Sequence, residues 1–259
     1  MNVMQEAPAP AEALAAIEPG TIWGVGLGPG EPELMSVRAD RLVRGASHVA
    51  YFRKAGRGGQ ARGIVEGMLR PDVIELPMDY PVTTEIPLTD PRYNAALSAF
   101  YETCVTELAA IAATGESVTV LCEGDPFFYG SFMHLHARLV GRVPVEVVPA
   151  ITGMSGAWTA TGRPITWGDD ILTVLSGTLP EEEIARRVAA SDAVVVMKLG
   201  RNLAKVRRAI DLAGRLEDAW LVEYATMPGQ RLRRLVEAEA DGRVPYFSIV
   251  LLHGNGRRP

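Results

Sequence analysis

The chain has 259 residues, 47% hydrophobic and 22% charged, with a formal net charge of −5. That balance supports a sizeable folded core and excludes both a disordered chain and a generally basic nucleic-acid binder. Its two cysteines form no C-x-x-C or disulfide framework, which suits a reducing cytoplasm.

The first 20 residues are rich in alanine and proline and lack a basic stretch followed by an apolar one. They read as a leader before the first strand rather than a signal peptide. "TIWGVGL" then predicts a strand, and Pro32 predicts the first turn of a helix running to Arg44 and stopping at Gly45. "SHVAYF" is the second strand, Gln60 to Leu69 a short helix and "DVIELPM" the third strand. Asp90-Pro91 opens a long helix up to Gly115. "SVTVLC", a helix carrying "MHLHARL" and "VEVVP" complete the first half. In the second half "DILTVLS", "DAVVVMKL", "AWLVEYA" and "YFSIVLLH" read as strands, with helices around 181–190 and 203–213. "RLRRLVEAEA" fits either helix or strand. Continuous apolar runs mark strands covered on both faces. The class is therefore α/β, mostly parallel in the first half, with domains expected at 21–147 and 148–259. Apolar runs such as Ile249-Val250-Leu251-Leu252 are too short to cross a bilayer.

Three turns fall at the carboxyl ends of strands, where open α/β sheets collect ligands. They are Gly26–Pro32, Glu123–Gly130 and Pro149–Gly156. The first places glycine at 24, 26, 28 and 30, which is the wrong register for the dinucleotide fingerprint G-x-G-x-x-G. Lysine is absent from all three, whereas Glu31, Glu123 and Asp125 are acidic. Such loops repel phosphate and favour a cation or a hydroxyl-rich ligand. A nucleoside with a positive centre fits, and S-adenosylmethionine has a sulfonium, an ammonium and a ribose. Taken singly, each turn is more often structural. Their shared position in one α/β chain favours a site.

The motifs "GVGLGPGEPELMSVRA", "EGDPFFYGSF" and "VEVVPAITGMSGAW", in that order, resemble those of the tetrapyrrole methyltransferases of cobalamin and sirohaem synthesis, over about Thr21 to His253. The segments "ASHVAYFRKAGRGGQARGIVE", "ELPMDYPVTTEIP", "GSFMHLHARL" and "PITWGDDILTVLSGTL" resemble the branch that methylates precorrin-2 at C20. The resemblance implies two α/β domains with a cleft between them, a homodimer and S-adenosylmethionine as methyl donor. Cobalt-factor II or another corrin intermediate is the alternative substrate, and a non-catalytic nucleotide-binding module is the alternative of another class. Carried over by motif, the donor contacts fall at Gly28, Pro29, Glu123, Gly124, Asp125, Phe128, Thr152, Gly153, Met197, Ala225 and Phe247. Ala150 and Glu123 stand where many relatives have glycine.

A polycarboxylate substrate needs cations. Arg53, Lys54, Arg57 and Arg62 cluster after the second strand, and arginine forks suit carboxylates, although a solvated loop face explains them equally well. Arg53 and Lys54 are taken as substrate contacts, with Phe127 and Tyr129 as rings for the macrocycle or the donor pocket. No catalytic base is assigned. Asp79, Tyr80 and Glu85 are of suitable type, as are solvent or the substrate's own carboxylates. His134 and His136 are two apart on a helix and share no face, so no protein-bound metal is expected. His48 and His253 read as structural.

Overall fold

The computed structural model describes residues 20–82, 90–239 and 242–257. Residues 1–19 of the leader and Glu85 lie outside them. The chain divides into two compact units. Unit 1 takes the chain up to Gly26, then Ser36–Cys122 and Tyr129–Pro149. Unit 2 takes Leu27–Met35, Glu123–Phe128 and Ala150–Pro259, so the first two glycine turns group with the second half of the sequence.

Unit 1 holds strands β1 (Ile22–Gly26), β2 (His48–Lys54), β3 (Ile74–Tyr80), β4 (Val118–Cys122) and β5 (Val145–Val148), with helices α1 (Val37–Gly45), α2 (Gln60–Ile64), α3 (Pro91–Ala113) and α4 (Phe132–Leu139). The sheet order is β3-β2-β4-β1-β5, and every recorded pairing is parallel. β1 and β4 are buried along their whole length, as strands covered on both faces must be. Gly24 lies within β1, where a Cβ would fall inside the ring of Phe132 of α4, itself 1% exposed. The glycine is there to let helix and sheet approach.

The helix expected from Pro32 begins later. Pro32–Leu34 is a single 3-10 turn, and Ser36 restarts the chain as N-cap of α1, its Oγ accepting from the Ala39 N–H at 3.1 Å. An extended capping serine ends one turn and opens the next. α2 is shorter than expected, ending at Ile64. α3, at 23 residues, is long and apolar enough by composition to cross a bilayer. It instead buries Tyr101, Cys104, Val105, Leu108 and Ala112 in the core shared with β4 and α4, while Glu102 and Glu107 stay exposed.

Unit 2 holds helices α5 (Gly153–Ala160), α6 (Glu181–Ala189) and α7 (Leu203–Leu212). Its strands are β6 (Leu172–Ser176), β7 (Ala193–Met197), β8 (Trp220–Glu223), β9 (Arg231–Arg234) and β10 (Ser248–Leu252). The order is β6-β7-β10-β8-β9, with β6 and β7 parallel and the remaining pairs antiparallel. Alternate residues of the sheet feed two cores. Val194, Val196, Leu221, Val250 and Leu252 pack with α6 and α7 residues, whereas Val195, Val222, Ile249 and Leu251 pack with Ala157 of α5. The ambiguous "RLRRLVEAEA" resolves into edge strand β9 followed by a 3-10 turn at Leu235–Glu237. α5 begins inside the turn expected at Pro149–Gly156 and runs on to Ala160. Thr152 caps it, and the weak helix formers Gly153 and Gly156 hide it from propensity.

Candidate functional site

β4, β1 and β5 are adjacent and parallel, so their carboxyl ends share one edge of the first sheet. The three segments that leave them therefore start as neighbours, although they are far apart in sequence. Within unit 2 they are tied together directly. The Gly124 N–H donates to the Gly28 carbonyl at 2.9 Å, forming an isolated antiparallel bridge. Gly28 has φ 80° and a Cβ there would meet the Leu34 carbonyl at 3.1 Å, so the turn requires glycine. Asp125 joins the second segment to the third. Its Oδ1 accepts from the Phe127 N–H at 2.9 Å and its Oδ2 from the Ala150 N–H at 3.0 Å. A Cβ on Gly124 would lie 3.6 Å from the Gly153 nitrogen, and one on Gly156 would lie 2.8 Å from Pro29 Cβ. Pro29, buried, thus sits against the first turns of α5.

Thr152 accepts from the Ser155 N–H through Oγ1 at 3.4 Å. α5 packs on β8 and β10, and Met154, Met197 and Ala225 pack against the same cluster as Ala157 and Ile249. Phe247 joins them through its carbonyl, which accepts from the Tyr224 N–H at 2.8 Å. Glu123 is half-buried, and its negative charge raises the pKa of the Tyr246 phenol, whose ring lies at the surface. Phe128 closes the second turn, its N–H donating to the Asp125 carbonyl at 3.1 Å.

Among the described residues, the non-glycine residues with positive φ are Tyr129 (56°), Lys198 (57°), Tyr224 (51°) and Thr226 (65°). Each adjoins a residue expected to contact the donor: Phe128, Met197 and, on both sides, Ala225. Backbone strain of this kind costs stability and gathers where function fixes geometry.

The residues assigned to the substrate lie differently. Arg53, at the end of β2, donates to Asp79 of the neighbouring β3 through Nε at 2.6 Å and Nη2 at 3.4 Å. Arg62 makes the matching fork to Glu75, at 2.9 Å on both arms, and the Tyr51 hydroxyl donates to the same carboxylate. These bonds hold the carboxyls of Asp79 and Glu75 below their usual range. Asp79 is accordingly a weak proton acceptor. The Tyr80 hydroxyl is hydrogen-bonded to Ser131 Oγ. Phe127 (49% exposed) and Tyr129 (42%) present their rings to the surface.

Two cavities within the units lie elsewhere. One of about 280 Å³ is lined by Asp170, Asp192, Arg215 and Asn255 in unit 2, and one of about 210 Å³ by Leu76, Met78, Cys104 and Leu108 in unit 1. No group of His, Cys, Asp or Glu among the described residues is arranged to hold a metal. Sequence reasoning placed Gly156 only as the end of the third turn and gave no role to Thr226 or Tyr246. Only the tertiary pairing of the 224–230 and 246–247 segments with the glycine turns makes them visible.

The assembled segments are rich in carbonyls, carboxylates and glycine-exposed backbone, and lysine and arginine are absent from 26–32, 123–130 and 149–156. This donor–acceptor set suits a cationic nucleoside.

The family model "Tetrapyrrole (Corrin/Porphyrin) Methylases" matches residues 21–241. The chain is 50% identical to the precorrin-2 C(20)-methyltransferase of a Sinorhizobium species, across 95% of this chain and 100% of that one. It is 28% identical to the cobalt-precorrin-2 C(20)-methyltransferase of Salmonella typhimurium, across 90% and 96%. Its fold matches that of uroporphyrin III C-methyl transferase from Thermus thermophilus, with TM-score 0.63 and 23% identity over 90% of this chain and 97% of that one. With the family model matched over residues 21–241 and a full-length relative at 50% identity, this chain belongs to the tetrapyrrole methylases.

Proposed function

We propose that the chain is an S-adenosylmethionine-dependent methyltransferase that methylates precorrin-2 at C20, giving precorrin-3A in cobalamin biosynthesis, as a cytoplasmic homodimer. The substrate assignment is carried by the 50% identity to the Sinorhizobium enzyme over that enzyme's full length, against 28% for the enzyme acting on the cobalt complex.

S-adenosylmethionine, when bound, supplies a methyl group already activated on a sulfonium sulfur. The chain's task is to hold and orient it. Gly28, Gly124 and Gly153 leave backbone groups uncovered, and Pro29 fixes the turn between them. Asp125 keeps acceptor capacity beyond the N–H groups it already serves, so it can take a ribose hydroxyl. The N-terminal turn of α5, at Thr152 and Gly153, offers N–H groups and the positive end of a helix dipole to a carboxylate. Met197, Ala225 and Phe247 would supply apolar contact that excludes water, Glu123 would supply a negative charge for a cationic donor, and Phe128 would line the turn that carries Glu123.

Lys54 and Arg53 meet the acid arms of the macrocycle. The Arg53 guanidinium retains donors beyond those given to Asp79. Phe127 and Tyr129 offer exposed ring faces to a flat acceptor. Alignment of donor and acceptor supplies the main rate gain, up to ~7–11 kcal/mol in favourable cases.

Anaerobic incubation with methyl-labelled S-adenosylmethionine and either precorrin-2 or its cobalt complex tests the reading. Label should appear at C20 of the metal-free substrate. Label at another carbon, or only with the cobalt complex, replaces this assignment.

A further inference from the structure

Thr226 is a β-branched residue held at φ 65°, a conformation such residues rarely adopt. Its neighbourhood shows what holds it there. Its N–H donates to Gln230 Oε1 at 2.8 Å. Its Oγ1 accepts from the Glu31 N–H at 3.3 Å, across 195 positions of sequence. A Cβ on Gly156 of α5 would lie 3.0 Å from its methyl group. One residue later, the Met227 side chain occupies the space that a Cβ on Gly30 would need. The turn is closed from within, because the Met227 N–H donates to the Tyr224 carbonyl and the Gln230 N–H to the Met227 carbonyl, at 2.9 and 3.1 Å.

The segment 224–230 therefore grips the first glycine turn and the start of α5 together. Gly28 and Pro29 sit on the gripped turn, Thr152 and Gly153 at the start of the gripped helix, and Ala225 inside the grip. We propose that Thr226 and Gln230 form a positioning latch that sets the glycine turn for binding the methyl donor. The inference rests on the donor reading above and adds a role for residues outside its contact set. Neither Thr226 nor Gln230 is placed against the donor. Thr226 acts through Glu31 and Gly156, and Gln230 acts through the Thr226 N–H.

Strain separates this role from ordinary packing. Replacing Thr226 by glycine removes the cost of the left-handed backbone and also removes the hydroxyl. A merely structural threonine, once replaced so, leaves a protein that is at least as stable and binds as before. A latch gives the same or higher Tm together with weaker donor binding.

Calorimetric titration of S-adenosylmethionine into the wild type, Thr226→Gly, Thr226→Ala, Thr226→Ser and Gln230→Ala, with Tm measured for each, tests it. We expect the donor Kd to rise about 5- to 10-fold in the Gly, Ala and Gln230→Ala proteins, the loss of one hydrogen bond's worth of order. The serine variant, which keeps the hydroxyl, recovers most of that loss. Gln230 is exposed, so its variant reports on the latch even if a change at Thr226 unfolds the chain. Wild-type binding with Thr226→Ala and Gln230→Ala within about twofold of it overturns the latch alone. Absence of binding by the wild type overturns the donor reading and the latch with it.

Discussion

Asp125 shows how one side chain joins two sequence motifs. Both its oxygens hold backbone N–H groups, one on its own turn and one on the segment after β5. Replacing it by alanine leaves the Ala150 N–H, partly shielded from water, without its acceptor. We expect Asp125→Ala to cost about 1–2 kcal/mol in urea unfolding and to weaken donor binding, with Asp125→Asn intermediate because its amide has a single acceptor oxygen. Equal stability of the alanine variant and the wild type removes this staple from the account. The acidic character of the turn was plain from sequence, but its use as a brace was not, since the partner N–H lies 25 residues on. The same holds for Arg53 and Arg62. The sequence showed them as a basic cluster; β2–β3 pairing sets Arg53 against Asp79, and α2 carries Arg62 to Glu75 of β3, so each is half of a forked ion pair. Burial also lowers the reactivity of Cys104. It pushes the Cys104 thiol up to about 12, so the nucleophilic thiolate is scarce at neutral pH.

At the scale of elements, the glycines of the opening strand and of the turn after it divide by role. Gly24 admits Phe132, and Gly28 takes the left-handed turn that meets Gly124. Gly24→Ala is expected to destabilise the chain by about 1–3 kcal/mol through overpacking, as read from the shift in denaturant midpoint. Combining it with Phe132→Leu should recover part of the loss. Strictly additive effects in that double-mutant cycle would mean that the ring and the glycine are not coupled. Strands were legible because β1, β4, β7 and β10 are near-continuous apolar runs. α5 was not, because helix propensity is low at Gly153 and Gly156 and the helix is stabilised by packing on β8 and β10. β9 escaped a firm reading for the opposite reason. Its arginines carry no period-two signal, and Arg234 gains its place by stacking 4.0 Å over the Trp220 ring.

At the scale of the whole molecule, chain-distant segments are drawn to shared ends. Parallel order β4-β1-β5 starts the three turns as neighbours, and unit 2 takes most of each of them. The end of the chain is anchored in the same manner. His253, 4% exposed, donates from Nδ1 to the Pro164 carbonyl at 2.9 Å, its Nε2 lies 3.1 Å from Thr161 Oγ1, and the Gly254 N–H reaches the Ile165 carbonyl. Burial holds the His253 imidazole below its usual 6.5, so the unfolded chain takes up its proton first as pH falls. Its contribution to stability is complete above about pH 6.5 and declines from there through its lower native pKa. Urea midpoints should fall more between pH 7.5 and 5 for the wild type than for His253→Gln. Identical pH profiles would show that His253 is not the titrating group.

The sequence by itself determined the α/β class, the strands apart from β9, the long helix α3 and the three turns, and through their order it pointed to the tetrapyrrole methyltransferases. These are local properties, set by apolar runs, capping residues and glycine–proline spacing along short stretches. Only the tertiary structure decided that Asp125 braces the Ala150 segment, that Arg53 is committed to Asp79 and that Thr226 reaches Glu31. Each of those bonds joins residues whose separation in sequence carries no signal, and sheet order and packing alone bring them within hydrogen-bonding distance.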